Sequence, residues 1–170
     1  ASFTAKGFPY RVYVLDDSVP NAAALPGGVL LVTRGLLADL HSESEVVSVL
    51  AHEMGHVELG HCFDAVRFEL LARKAGAGSL GELADLAGQL LLRHTYSKTV
   101  EHEADEYAFL LMTSSRYDPR GMGGAFRSLE AYLTRVGERT PSGAEPFRDY
   151  FTSHPPVEIR ANEYGQRAEG

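Results

Sequence analysis

Cysteine is almost absent from this chain of 170 residues, which contains only Cys62. A single thiol cannot close an intrachain disulfide, so cysteine usage leaves the redox compartment open, and zinc sites built from several thiolates are excluded. The chain also lacks a basic run, because 16 Lys and Arg are set against 23 Asp and Glu, for a net charge of −7. Since phosphate binding needs clustered positive charge, we do not expect nucleic acid as a partner.

Long hydrophobic runs are missing as well. The longest apolar stretch, near residues 22–32, is interrupted by Pro26, Gly27 and Gly28, and it falls far short of the roughly 20 residues that span a bilayer. We therefore expect no membrane span and a chain that is soluble by itself. The chain starts at Ala1 without a charged-then-apolar leader, which favours a processed or trimmed product and leaves a missing anchor or partner domain open.

The remaining composition is that of one globular domain. Hydrophobic residues make up 44% and charged residues 23%, so disorder and low-complexity architectures are poor interpretations. The N-terminal third predicts strands at 10–15 and 28–33, which together favour a small sheet or hairpin. Because the rest of the pattern is helical, we predict a mainly helical α+β fold that forms a single domain over residues 1–170.

Helix signals dominate from Arg34 onward. Ser42 and Glu45 have the spacing of a capping box, which predicts a helix at about 43–60 with Gly60 as its terminator. Apolar residues at helical spacing predict a buried stripe on this helix, made of Val47, Leu50, Ala51, Met54 and Val57. Further helices are predicted at 63–75, 79–95, 98–114, 121–137 and 157–167, with an exposed loop at 137–146.

One motif in the 43–60 helix indicates chemistry: His52-Glu53-Met54-Gly55-His56. At about 3.6 residues per turn, the two histidines share one face with their rings roughly 6 Å apart along the axis. This spacing allows both to bind one tetrahedral zinc ion. Glu53 falls beside the metal, where it can act on metal-bound water as a general base. The alternative is a solvated face without a metal, but the capped, amphipathic flanks favour zinc.

A catalytic zinc site needs a third protein ligand. His61 and Cys62 do not fit the elongated metzincin spacing, so we interpret them as a helix-end histidine and a small buried apolar group. Glu101 and Asp105 are four residues apart and share a helix face, so one carboxylate can complete the zinc shell. Asp105 can accept the free ring N–H of a ligating histidine. Ala104 beside them predicts close helix packing, and a solvated acidic face is the alternative.

The pairing of the histidine motif with Glu101-x-x-x-Asp105 resembles a family of zinc metallopeptidases. This family includes the CAAX prenyl proteases, heat-shock membrane peptidases and periplasmic outer-membrane-assembly proteases. Three further segments agree with it in order along the chain: Asn21 to Gly28, Val32 to Leu37, and Ser153-His154-Pro155-Pro156 with Arg160. The resemblance extends from about residue 10 to residue 165.

The resemblance implies a gluzincin arrangement. In it His52, His56 and Glu101 bind one Zn²⁺ per chain, Glu53 is catalytic, and Asp105 supports His52. It also implies that the segment from Asn21 forms an edge strand beside the active-site helix, to which an extended polypeptide substrate adds with broad specificity. The residues of that substrate edge are Asn21, Ala22, Ala23 and Ala24.

Two further residues receive roles from the same resemblance, with alternatives left open. His154 is a donor to the oxyanion, a loop histidine that occupies the open zinc position and keeps the enzyme latent, or merely a loop or cap residue. Arg160 orients His154, binds substrate carbonyls, or pairs with a surface acid. The implied function is a zinc endopeptidase acting on unfolded or extended polypeptides, in a bacterial cell envelope or periplasm. The rival functions are a binding module with structural zinc and a latent enzyme.

Overall fold

The computed structural model describes residues 6–64, 67, 96–137, 154 and 157–168. These residues contain β1 (Arg11–Leu15), β2 (Ala22–Leu25), β3 (Val29–Thr33), α1 (Arg34–Asp39), α2 (Glu43–Glu58), α3 (Lys98–Thr113), α4 (Arg120–Gly137) and α5 (Val157–Arg167). The predicted α+β class, mainly helical with a small N-terminal sheet, is therefore confirmed. Most of the helices predicted at 63–75 and 79–95, and nearly all of the predicted loop at 137–146, lie outside the described residues.

The sheet has the strand order β1-β3-β2. β2 and β3 form an antiparallel hairpin, and the turn between them includes Gly27 and Gly28 at φ +91° and +89°, values that glycine adopts without strain. The strands predicted at 10–15 and 28–33 are present, but they pair in parallel rather than as a hairpin. Propensity alone did not identify β2, because its alanines have little strand propensity, but the resemblance implied a strand from Asn21 and the structure has one at Ala22–Leu25.

Helix α2 begins and ends as predicted. The Ser42 hydroxyl accepts a hydrogen bond from the Glu45 backbone N–H at 3.2 Å. The Glu45 carboxylate accepts one from the His41 N–H at 2.8 Å, so the return contact of the predicted capping box falls one residue earlier than expected. Gly60 adopts φ +86° just after the helix, the left-handed conformation that commonly follows a helix end.

The predicted apolar stripe on α2 is only partly correct. Ala51 and Val57 are buried, whereas Val47, Leu50 and Met54 are only partly buried. The reason is that β2, α3 and α4 all pack against α2, so the helix is covered on several sides rather than on one face. Buried polar and charged side chains on α2 are Ser48, His52, Glu53, His56 and Glu58.

Apolar contacts join the helices around α2. One cluster links α2 to α3, α4 and α5, and its members are Ala51, Ala108, Met122, Phe126 and Tyr164. Another links the sheet to α1, α2 and α4 through Ala22, Val32, Leu36, Leu40, Val49, Ala125 and Leu129. The first of these clusters packs α3 and α5 against the motif helix. None of the helices in the described part of the chain is both long enough and apolar enough to cross a membrane.

Candidate metal centre

Two histidines one turn apart on α2 supply two of the candidate ligand atoms. The Nε2 atoms of His52 and His56 lie 3.0 Å apart, and the two residues are 3% and 0% exposed. Two ring nitrogens that face each other this closely can share at most one proton. Once that proton is lost, both Nε2 lone pairs are directed toward a common region, as two ligands of one ion must be.

Glu101 reaches this point from α3 because the two helices approach closely at Gly55. A Cβ at Gly55 would lie 3.0 Å from both the Cα and the carbonyl oxygen of Ala104, and Ala104 is itself 0% exposed, so the predicted close packing is confirmed. One Glu101 oxygen lies 3.5 Å from His52 Nε2 and the other lies 3.4 Å from His56 Nε2. The structure thus brings the three predicted metal ligands together.

Asp105 lies behind His52, one turn after Glu101. The His52 Nδ1 atom is 2.8 Å from Asp105 Oδ1. Burial disfavours the charged carboxylate, but hydrogen bonds from His52 and Arg160 outweigh it and hold the pKa of Asp105 below its ordinary value. Burial also disfavours a charged His52, yet hydrogen bonds to Asp105 and Glu101 raise its pKa to about 9. Asp105 therefore stays ionised and orients the His52 ring.

Arg160 is buried among these groups, at 6% exposure. Its Nε and Nη2 atoms donate to the two oxygens of Asp105 at 2.6 and 2.7 Å. Its Nη1 lies 3.0 Å from Glu101 Oε2 and donates to the His154 carbonyl oxygen at 3.3 Å. The alternative of a surface pair is wrong, because the acids that Arg160 contacts are 1% and 2% exposed. Its contact with His154 agrees with the orienting alternative.

His154 inserts its ring between the metal ligands and Glu53. Its Nδ1 lies 2.9 Å from Glu101 Oε1 and 3.3 Å from His52 Nε2. Its Nε2 lies 3.3 Å from Glu53 Oε1. The residue is 2% exposed, so a plain surface-loop role is excluded. Whether it serves as an oxyanion donor or occupies the metal's open position decides between an active and a latent enzyme.

Glu53 is buried beside the cluster, at 1% exposure. Burial removes water from its carboxylate and raises its pKa, although electrostatic interactions with His154 and His52 oppose this effect. A carboxyl group with a raised pKa exchanges protons closer to neutral pH, which suits a general base. The alternative of a solvated acidic and histidine face is wrong for this motif, because both histidines, Glu53 and Glu101 are buried.

Two further side chains border the site and were not predicted there. The Tyr96 ring stacks on His56 with centroids 4.1 Å apart and planes at 16°. His61 places its Nδ1 3.1 Å from His56 Nδ1, on the side of the ring opposite the ligand atoms. No spacing signal reveals Tyr96, since it lies far along the chain from α2. Cys62 is buried as predicted, and its thiol donates to the His56 carbonyl at 3.4 Å.

The predicted substrate edge is present but covered. β2 lies at one edge of the sheet and against α2, in the position that the resemblance implies. Asn21, just before it, donates its backbone N–H to Thr33 Oγ1 at 2.8 Å. Ala22, Ala23 and Ala24 are only 3 to 7% exposed. In this arrangement the edge therefore does not offer its backbone to a peptide from solvent.

The donor atoms of the cluster fit a metal ion. One ligand atom from each of four residues lies within 4.8 Å of all the others, and the four residues are His52, His56, Glu101 and His154. Around a tetrahedral zinc ion with bonds of about 2.0–2.1 Å, neighbouring ligand atoms lie about 3.3 Å apart. The two Nε2 atoms lie 3.0 Å apart, and each lies 3.4 or 3.5 Å from one of the two Glu101 oxygens, so all three distances are close to that value. Imidazole and carboxylate are also the ligand types that zinc accepts.

A helix with two histidines and an intervening glutamate, joined by a carboxylate from a second helix, defines the class of protein as a metalloprotease. The model of Peptidase family M48 matches residues 1–168, and the chain belongs to this family. The family that the sequence motifs predicted is thereby confirmed, together with the predicted enzyme class, a metalloprotease among the hydrolases. Membership also implies a bound metal, for which the buried His-His-Glu-His cluster is the matching group.

Curated relatives carry the same class in their names. Mitochondrial metalloendopeptidase OMA1 of Arabidopsis thaliana is 29% identical over 154 residues, covering 88% of this chain and 30% of the relative. Metalloprotease YcaL of Escherichia coli is 32% identical over 168 residues, covering 93% and 61%. Metalloprotease LoiP of the same organism is 32% identical over 150 residues, covering 80% and 58%. The chain thus spans between about a third and three fifths of these relatives.

Proposed function

We propose that this chain is a zinc-dependent endopeptidase domain that hydrolyses internal peptide bonds of unfolded or extended polypeptides. In this proposal His52, His56 and Glu101 bind one zinc ion per chain. The observation that carries it is the convergence of three buried donor side chains beside a buried Glu53. The names metalloendopeptidase and metalloprotease among the relatives support the same activity.

Glu53 is the general base in this proposal. Zinc, when bound, supplies Lewis-acid chemistry that makes water more acidic and polarises a carbonyl. Burial raises the pKa of Glu53, so its carboxylate can accept a proton from the attacking water and then release it to the leaving amine. The chain forms no covalent bond with the substrate at any step.

Asp105 and Arg160 act as positioning residues. Asp105 accepts the Nδ1–H of His52, which fixes the tautomer that leaves the Nε2 lone pair free for the metal. Arg160 holds this carboxylate with two hydrogen bonds and lies 3.0 Å from Glu101. Arg160 therefore holds in place both the ligand Glu101 and Asp105, the partner of the ligand His52. The proposal gives Arg160 no contact with substrate.

His154 keeps the enzyme latent in this proposal. Its Nδ1 lies among the ligand atoms and its Nε2 lies beside Glu53, so the ring fills the space that a scissile carbonyl and an attacking water need. An oxyanion donor would instead leave that space open and approach from its rim. The hydrogen bond from Arg160 to the His154 carbonyl supports the inserted position. Activation then requires His154 to move out of the cluster.

The substrate backbone is assigned to the edge of β2. In the described sheet, β2 pairs with β3 on one side only, so a peptide that adds along residues 21–24 can gain backbone hydrogen bonds whatever its side chains are. This mode of binding supports broad specificity. Because these alanines are covered, the edge must be uncovered before a substrate can pair with it, as a latent enzyme requires.

A binding module with a structural metal is the second candidate. Structural zinc sites are closed by four protein ligands, and the inserted His154 provides a fourth donor here. A structural site has no use for a buried general base, however. Burying the Glu53 carboxyl group at 1% exposure costs free energy in either protonation state, and a structural site gains nothing in return. The presence of this carboxyl group therefore favours the enzyme.

Casein cleavage, with zinc content measured in every sample, tests the proposal. The proteins are the wild type, His154→Ala, the double variant Glu53→Gln/His154→Ala, and His41→Ala as a control at an exposed histidine. We expect full zinc in all four and faster cleavage by His154→Ala than by the wild type or the control. The double variant should lose this cleavage by about 10²- to 10⁴-fold, the scale of general-base catalysis.

Other outcomes assign other functions. Full zinc without cleavage by the wild type or by His154→Ala would favour the binding module. Slower cleavage by His154→Ala at unchanged zinc would make His154 the oxyanion donor and reject latency. Zinc that persists in both His56→Ala and Glu101→Ala would contradict the assigned ligands.

A further inference from the structure

His61 contacts the back of the His56 ring. After α2 ends, Gly60 reverses the chain at φ +86°, and residues 61–64 are again helical. This reversal places His61 Nδ1 3.1 Å from His56 Nδ1. The other ring nitrogen of His61, Nε2, lies 3.1 Å from Glu103 Oε2 on α3. The His61 side chain is 9% exposed, whereas that of Glu103 is 53% exposed.

The proton positions along this contact chain have one consistent assignment, given the metal site of the proposed function. If His56 Nε2 offers its lone pair to the metal, its proton must be on Nδ1. His61 Nδ1 must then accept, so the His61 proton is on Nε2. That N–H in turn donates to the Glu103 carboxylate, which can only accept. Every donor in the chain thus meets an acceptor, from the metal ligand outward to the surface.

We propose that His61 is a positioning residue for metal binding, which fixes the tautomer and the ring orientation of His56 and is itself held by Glu103. Ligating histidines commonly donate their second N–H to an outer acceptor, and this partner matters for metal affinity. Asp105 provides that acceptor for His52. His61 provides the acceptor for His56. Because this acceptor is a neutral imidazole, the site does not need a second buried carboxylate behind the two histidine ligands.

A simple packing role makes a different prediction, which a pair of variants can separate. Asparagine at position 61 places an amide oxygen close to the position of Nδ1, so His61→Asn keeps an acceptor for His56 although it removes ring volume. Leucine fills more of the volume but offers no acceptor, so His61→Leu keeps packing and removes the hydrogen bond. A positioning role favours the asparagine variant, and a packing role favours the leucine variant.

The experiment measures zinc affinity by competition with a chromophoric chelator for the wild type, His61→Asn, His61→Leu and the control His41→Leu. His41 is an exposed histidine outside the site. We expect His61→Leu to bind zinc about 10- to 100-fold more weakly than the wild type, while His61→Asn retains most of the affinity and the control is unchanged. Urea unfolding of the metal-free proteins, recorded in parallel, identifies any variant that fails to fold.

Equal affinity of His61→Leu and the wild type would overturn the inference, and so would a larger loss in His61→Asn than in His61→Leu among folded proteins. Either result would leave the metal site of the proposed function intact. A wild type that binds no zinc, or a His56→Ala variant that binds it as tightly as the wild type, would overturn both. The failure of the inference and the failure of the proposed function are therefore distinguishable.

Discussion

Replacing Gly55 with alanine should weaken the metal centre without changing any polar group. Gly55 lies between the two motif histidines, where α3 packs closely against α2. An added Cβ would lie 3.0 Å from the Cα and the carbonyl oxygen of Ala104, and 3.3 Å from the Cβ of Tyr107. Since favourable carbon contacts are about 3.5–4.0 Å long, α3 must move away by roughly 0.5 Å or more.

Two opposing terms determine the effect of Gly55→Ala on stability. Overpacking costs about 1–3 kcal/mol, whereas replacing glycine inside a helix gains about 1 kcal/mol. We expect the free energy of unfolding of the metal-free protein to fall by about 0–2 kcal/mol. The effect on metal binding is more informative, because Glu101 moves with α3 while metal–ligand distances tolerate only about 0.2 Å of change.

Gly165→Ala is the matched control for this variant. An added Cβ at Gly165 on α5 would have only Arg127 Nη1 nearby, at 3.8 Å, so we expect a gain of up to about 1 kcal/mol and no change in zinc affinity. For Gly55→Ala we expect zinc binding at least about tenfold weaker, the scale seen when the support of a ligand is lost. Urea unfolding and chelator competition measure the two effects. Unchanged zinc affinity in Gly55→Ala would refute the idea that helix spacing sets the position of Glu101.

Two further predictions concern pH and thiol chemistry. Zinc affinity should rise about tenfold per pH unit up to about pH 9, because protein contacts raise the pKa of His52 to about 9 and a proton there competes with the metal. Calorimetric titration between about pH 6.5 and 8.5, corrected for buffer protonation, measures this dependence. A zinc affinity that does not change with pH would contradict the prediction. Cys62 should react slowly with a chromogenic thiol reagent until urea unfolds the protein, because burial raises the pKa of its thiol to about 11 and only the thiolate reacts. Rapid labelling of the native protein would contradict this prediction and show that Cys62 is accessible.

Predictions that rest on the start and stop signals of one helix and on its repeat agree with the structure. Ser42 caps the start of α2, and Gly60 follows its end. The helical repeat alone places His52 and His56 one turn apart. These features depend on interactions over three to five residues, which the sequence displays directly.

Relations between distant elements were predictable where chemistry required a partner or where the family resemblance implied one. The need for a third ligand pointed to the helix face that Glu101 and Asp105 share, and the family resemblance assigned the ligand role to Glu101. Nothing comparable marks the parallel pairing of β1 with β3, since the composition of the two strands does not encode their relative direction. The contact of His61 with His56 was also missed, because it depends on the chain reversal at Gly60.

The helix α3 supports both histidines of α2. Glu101 supplies the carboxylate between them, Asp105 accepts from His52, and Glu103 accepts from His61, which faces His56. At about 100° per residue, Glu103 is turned roughly 200° from Glu101, so it meets a residue beyond the end of α2 rather than the centre of the site. Changing one of these acids therefore removes only the contacts of that acid, whereas moving α3 disturbs the contacts of all three. The site belongs to the packed helix pair, and the small residues between the helices are part of it.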